Sequence, residues 1–468
     1  MIAYSALAIW PVVTFLLFQT MSSKKAIVCA TLGGFLLLPV GTWFDAPGMP
    51  KIDKTVVANL SLLVCALLFA KFRILRLPKS KLLIGLLALY VLSPAVTTLS
   101  NRDPLMLSVS MLPGMTWYDG ASLLVRQIIE VIPFLVAYNA FKAEQDIRGL
   151  LVVLIIAALA YSVPILWEVR MSPQLHAQLY GFFPHDFSQQ LRAGGFRAVV
   201  FLGHGLVVAI FIAMALVAAI ALWRTRTRIL GIPGATYTSV LLIVLILCKS
   251  AGALILAIIV GAASYFMRYR NIISVLAISG LIIVSYPALR GFNIIPVNSI
   301  AEMATSISSD RSSSFRTRIE NEDVLLEKIS EKPLFGWGAW GRGRIYKTDW
   351  TGDFDYDATI TDGSWIIIMS TFGWVGYIAC FGLLAFPTAR ALYRRKRFDK
   401  YPSFVALLAV LVVNLFDLLP NSSLTPLTWL IAGALSGFDP GSVRGASSRK
   451  EFSGSEENRS AAAVGTAK

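Results

Sequence analysis

The sequence predicts an all-α polytopic membrane protein of about 12–13 transmembrane helices, with one large extracytoplasmic loop that carries an amphipathic helix. Three observations predict it. The 468-residue chain is 56% hydrophobic and has a mean hydropathy of +0.67, above the roughly 45–50% apolar content of soluble domains. The excess falls in runs near the ~20 residues needed to cross a bilayer. The basic residues then favour alternate loops, as the positive-inside rule requires.

The spans read in order as 2–20, 26–42, 55–70, 82–99, 121–141, 149–168, 198–223, 234–248, 251–267, 271–288, 364–388, 402–417 and 424–438. Residues 2–20 have no basic segment before them, so they are expected to remain a span and not to serve as a cleavable signal. The run 234–267 is broken only at Lys249-Ser250, which fits a tight hairpin or a bent pair. Lys24 and Lys25 follow the first span, and Lys71, Arg73, Arg76, Lys79 and Lys81 the third. Arg224, Arg226 and Arg228 follow the seventh, Arg268 and Arg270 the ninth, and Arg394 to Arg397 with Lys400 the eleventh. These loops are therefore cytoplasmic, the N-terminus outside and the C-terminus inside.

The outside segments differ in character. Residues 100–120 carry Pro, Trp and Tyr and suit the interface. Residues 169–197 mix aromatic and polar groups and read as a surface-lying segment. Residues 289–363 form the large loop within a bundle that spans 1–438. There, Ser312 to Ser314 can cap a helix over 317–331, whose Ile319, Val324, Leu325 and Ile329 form an apolar stripe. Pro333 ends it, and Leu334-Phe335-Gly336-Trp337-Gly338 follows. The tail 439–468 is rich in Ser, Gly, Ala and charge and is expected to be disordered and cytoplasmic.

The net charge is +15. In a soluble protein that would point to nucleic acid. Here the charge sits in short loops and serves topology, so no nucleic-acid partner is expected. The four cysteines, Cys29, Cys65, Cys248 and Cys380, lie in or beside apolar runs without a metal or redox spacing.

Ionisable groups at membrane depth mark candidate sites. Lys249 stands between two apolar runs, where it either acts on a substrate or snorkels to the interface. Arg126 and Glu130 are four apart on one helix face and should pair. Arg197 and His204 open the seventh span, two turns apart, so a common face is expected. Arg316 and Arg318 precede the loop helix. Asp362 sits where the large loop re-enters the membrane, as a functional carboxylate or as the N-cap of the next helix. The acids of Asp349-Trp350-Thr351-Gly352-Asp353-Phe354-Asp355-Tyr356-Asp357 lack the glycine and distal glutamate of an EF-hand loop. They read as a solvated loop, and no metal site is expected.

The order of these features resembles the bacterial O-antigen ligase and polymerase superfamily of integral membrane glycosyltransferases, from about residue 120 to 437. The resemblance rests on Arg318 followed by a helix and Pro333-Leu334-Phe335-Gly336-Trp337-Gly338. It also rests on Asp362 before Gly373-Trp374-Val375-Gly376, on Arg197 with His204, and on Lys249-Ser250. The family commonly has His where this chain has Asp362, and often Arg where it has Lys249. That departure is closest to the exopolysaccharide-polymerase-like members.

The resemblance implies a GT-C-like bundle in the bacterial inner membrane, with its active site facing the periplasm. It implies a polymerase that joins repeat units carried on undecaprenyl diphosphate, without metal or cofactor. Asp362, Arg318 and Lys249 take catalytic roles, and Arg197, His204 and Arg316 bind substrate. The implied partners are the lipid-linked glycan, an acceptor glycan or glycolipid, membrane lipids, and chain-length or export proteins. Ligation to lipid A core, a lipid-linked glycan flippase and a non-catalytic scaffold are the competing expectations.

Overall fold

The computed structural model describes residues 1–45, 50–70, 76–192, 194–291, 294, 309–359 and 362–440, and of 192 and 309–317 the backbone alone. In chain order the helices are α1 (Ile2–Thr20), α2 (Ser23–Leu37), α3 (Lys54–Phe69), α4 (Lys81–Leu99), α5 (Trp117–Ala140), α6 (Glu144–Met171) and α7 (Leu175–Tyr180). They continue with α8 (Gly205–Arg224), α9 (Gly234–Leu247), α10 (Ala251–Phe266), α11 (Tyr269–Gly291) and α12 (Ser309–Glu331). The last four are α13 (Ser364–Tyr393), α14 (Arg395–Phe398), α15 (Pro402–Asp417) and α16 (Pro426–Gly437).

Although α2 stops at Leu37, short of the expected 42, and α8 starts at Gly205, after the expected 198, every expected span overlaps one of these helices. Seven of them, α1, α4, α5, α6, α8, α11 and α13, are long and apolar enough to cross a membrane, and α3, α9, α10, α15 and α16 are shorter apolar helices. The outward faces agree with a lipid solvent. Ile9, Val12 and Leu16 of α1 and Ile255, Ile258 and Ile259 of α10 are exposed, in a chain whose helices satisfy their own backbone groups. The protein is thus an all-α, membrane-embedded bundle.

A helix that is apolar all round belongs inside. α8 and α15 fit that rule, with Val208 to Ala219 and Phe404 to Leu415 buried without interruption. α16 packs on α5 backbone to backbone, because Gly433 and Gly437 lie against the main chain at Phe134 and Tyr138. This is the small-xxx-small device by which membrane helices approach closely.

α13 is broken. Gly373 has φ +65° and ψ −164°, outside the helical region, which leaves main-chain groups on either side without helical partners. The segment after α12 fills the gap. Trp374 N–H donates to the Pro333 carbonyl (2.8 Å) and Val375 N–H to Leu334 (3.1 Å). Trp337 and Gly338 N–H donate to the Ser370 and Thr371 carbonyls, each at 2.9 Å. The end of α4 and the turn after it hold the same segment from the other side, through Thr97 Oγ1 to the Phe335 carbonyl (2.7 Å) and Asn101 Nδ2 to Gly336 (3.0 Å). A broken membrane helix is tolerated where protein supplies the missing partners, and here the Pro-Leu-Phe-Gly-Trp-Gly stretch supplies them.

Several expectations need correction. α12 begins at Ser309, so Ser312 to Ser314 lie within it and do not cap it, and Arg316 and Arg318 are inside the helix. In its stripe Ile319, Leu325 and Ile329 are buried, whereas Val324 is 46% exposed. Among the described residues, four two-stranded antiparallel ribbons join the loops. One of them pairs Tyr346–Thr348 with Asp355–Asp357, so the acidic run is an ordered hairpin. Asp349 accepts from the Thr351 hydroxyl, and from Asp353 and Phe354 N–H (2.9 and 3.1 Å) to close its turn; these bonds, that of Thr351 foremost, hold its carboxyl down at about 2. Asp355 accepts from Val109 and Ser110 N–H (3.0 and 2.9 Å) and ties the hairpin to the 100–120 segment. The expected disordered tail lies outside the described residues beyond Pro440.

Candidate functional site

Arg318 and Asp362, 44 positions apart in the chain, meet in an ion pair, Nε to Oδ2 at 2.9 Å, each side chain about two-fifths exposed (40% and 39%). Both elements are held. The Ser364 N–H donates to the Leu418 and Asn421 carbonyls (3.0 and 3.1 Å), and Ser364 Oγ donates to Asn421 as well (3.0 Å). Asp417 closes that 418–423 loop by accepting from Asn421 Nδ2 (2.7 Å) and Ser423 Oγ (2.5 Å). Asp362 therefore projects from a fixed strut. The N-cap of α13 is Gly363, so Asp362 is not the cap, and its carboxylate is given to Arg318.

Arg318 is placed by the docking of α12. Its buried Ile319, Leu325 and Ile329 face the bundle, and two polar links fasten it to α11: Tyr286 O–H to Glu322 Oε2 (3.0 Å) and Arg290 to Asp323 (2.6 Å). Burial pushes the Glu322 carboxyl up, opposed by the Tyr286 hydrogen bond and by Arg290. A cavity of about 220 Å³ lies between these elements, lined by Tyr286, Arg318, Glu322, Asp362, Ile366 and Leu419 among others. Its chemistry is a cation and a carboxylate beside a second, burial-weakened carboxyl and apolar walls. Such a set can hold an anion at Arg318 and accept a proton at Asp362.

A second cluster forms where α9 meets α10. Lys249 has φ +51° in the tight turn between them, and both helices pack on α8. The buried Arg197 donates from Nη2 to the Lys249 carbonyl (3.1 Å), and the Lys249 ammonium lies over Gly195. Arg197 is not on a helix with His204, as the common-face expectation required. α8 starts at Gly205, and Arg197 lies in the extended segment before it, with its stem against Gly205. His204 is the N-cap of α8, its Nδ1 accepting from Leu206 N–H (3.1 Å), and its ring lies 4.9 Å from that of His185.

The described contacts do not join the two clusters. The side chain of Arg316 lies outside the described residues. Arg126 pairs with Glu130 (3.1 Å) as expected and also with Asp53 (2.9 Å), the N-cap of α3.

Glu168, unmarked in the sequence reading, is fully buried at the end of α6 and accepts from the N–H groups of Leu175 (2.9 Å), Val199 and Val200 (2.8 Å each). It fixes the segment that carries Arg197. Glu168 and Asp417 are lone carboxylates near the ends of apolar runs, and the rule applied to Lys249 would have found both. No family model matches the chain, and no curated protein matches it in sequence.

Proposed function

We propose that the chain is a membrane glycosyltransferase that polymerises oligosaccharide repeat units carried on a polyprenyl diphosphate, at the periplasmic face of a bacterial inner membrane. The observation that carries this reading is the Arg318–Asp362 pair on a cavity between a loop helix and the start of a membrane helix. A lipid-linked substrate reaches such a place with its carrier in the bilayer and its sugar above it.

In the proposed reaction the acceptor hydroxyl oxygen bonds to the anomeric carbon of the donor. The bond from that carbon to the diphosphate breaks, and the electron pair leaves with the lipid diphosphate. The hydroxyl proton passes to Asp362, a task typically worth about 10²–10⁴-fold in rate. Arg318 stabilises the charge that gathers on the departing diphosphate, as fixed donors do best in a site shielded from water. A single displacement inverts the anomeric centre. Lys249 and Arg197 offer a second cationic contact for the carrier, with His204 holding the start of α8 beside them. The donor bond is already activated, so the reaction draws on no nucleotide.

Deleting the gene and resolving surface polysaccharide by length tests the reading. Single repeat units left on the carrier, with long chains lost, are the expected result. Long chains that stay on the carrier would instead mean a ligase, and repeat units trapped in the cytoplasmic leaflet a flippase.

A further inference from the structure

α13 begins two residues after Asp362 and runs to Tyr393, 30 residues in all, which is longer than the ~20 residues that cross a bilayer. At its far end lies a larger cavity, of about 840 Å³, built where α4 begins and where α5, α13 and α16 end. Five cations line it, Arg76, Lys79, Lys142, Arg390 and Arg394, against one carboxylate, Asp439.

Helix C-termini attract cations through their carbonyls, and this accounts for two of the five. Arg390 donates to the Ser436 and Phe438 carbonyls at the end of α16 (2.8 Å each). Lys142 donates to the Tyr138 carbonyl of α5 (2.5 Å). It does not account for Arg76, Lys79 and Arg394. All three are exposed, and among the described residues none of them forms an ion pair. The first turn of α4, whose N–H groups carry partial positive charge, faces the same space through Leu82 and Leu83. The rim is apolar: Leu77, Leu82 and Tyr393 line the cavity and are 65%, 62% and 87% exposed.

We infer that this cavity binds the phosphate headgroup of an anionic phospholipid at the end of the bundle opposite Asp362. The cations of three chain segments take the phosphate, and the exposed Leu77, Leu82 and Tyr393 border its acyl chains. Basic pockets between membrane helices recognise lipid headgroups in this way, and a soluble anion would leave the apolar rim unused. The inference is independent of the proposed glycosyl transfer.

The test is native mass spectrometry of the full-length protein in detergent with added cardiolipin, phosphatidylcholine or inorganic pyrophosphate. Cardiolipin is expected to be retained at least about tenfold better than phosphatidylcholine, and pyrophosphate not to displace it. A combined Arg76→Gln, Lys79→Gln and Arg394→Gln variant should lose that preference. Arg395→Gln with Lys396→Gln, outside the cavity, should keep it. Equal retention of the two lipids by the unaltered protein overturns the inference whether or not the variant folds. So does a folded triple variant with full cardiolipin preference. Displacement by pyrophosphate would assign the cavity to a soluble anion and overturn the lipid.

Discussion

Asp362 owes its place to two partners that are remote in sequence. The 418–423 loop anchors the residues just after it, and Arg318 of α12 takes its carboxylate at 2.9 Å. Its neighbour Glu322 differs in kind, because burial raises its carboxyl above the ordinary range. A carboxyl raised in the folded state keeps its proton as pH climbs past the ordinary 4.5, while the unfolded chain has lost it. The stability it contributes is thus complete below that pH and is lost as pH rises through the folded value. Glu322→Gln should remove this slope. In detergent its melting temperature should fall less than that of the unaltered protein from about pH 4.5 to pH 8. Parallel curves would show that burial of Glu322 has no such cost. The residue candidates themselves were legible, since charge beside apolar runs is conspicuous. Their grouping was not: nothing in spacing joins Arg318 to Asp362 or Arg197 to Lys249, because tertiary packing makes both contacts. The helical face assumed for Arg197 and His204 failed because His204 caps α8, so helical periodicity does not extend back to Arg197.

At the scale of elements, the break in α13 and the Pro-Leu-Phe-Gly-Trp-Gly stretch form one device. Gly373 and Gly336 both have positive φ, +65° and +66°, and each lies against the other segment's backbone. Gly373→Ala should destabilise the protein by at least about 1 kcal/mol from its positive-φ, extended-ψ backbone alone, a conformation open essentially to glycine only, with more from contact with Leu334. Gly336→Ala should act likewise, and the double variant should cost less than the sum, since either change opens the same interface. Additive losses in detergent melting would contradict this coupling. Apolar runs gave the helices readily. The break did not show, because a glycine within an apolar run reads as ordinary membrane-helix composition. The Gly433 and Gly437 contact with α5 was also legible in principle as a small-xxx-small pattern, but its partner helix was not.

For the whole molecule, the bundle places two unlike cavities at the two ends of α13. The smaller holds the Arg318–Asp362 pair, and the larger is basic. In the proposed orientation, which follows the positive-inside rule, the first faces outside and the second inside. A cysteine introduced at Lys347, in the exposed hairpin, should react with an impermeant maleimide in intact spheroplasts, and one at Lys396 only after lysis. The reverse pattern would invert the orientation and remove the proposed periplasmic site. Apolar length carries the helical bundle almost entirely, whereas the ribbons among the described residues rest on two- or three-residue pairings too short to leave a periodic signal.

The most direct test of the proposed chemistry is reconstitution. The purified protein in liposomes would be given polyprenyl-diphosphate-linked repeat units alone, with glycan length and released carrier diphosphate measured together. The account predicts longer glycans, one carrier diphosphate released for each linkage formed, and a loss of about 10²-fold or more in Asp362→Asn. Elongation that is unchanged in a well-folded Asp362→Asn protein, or no elongation by the unaltered one, would contradict it.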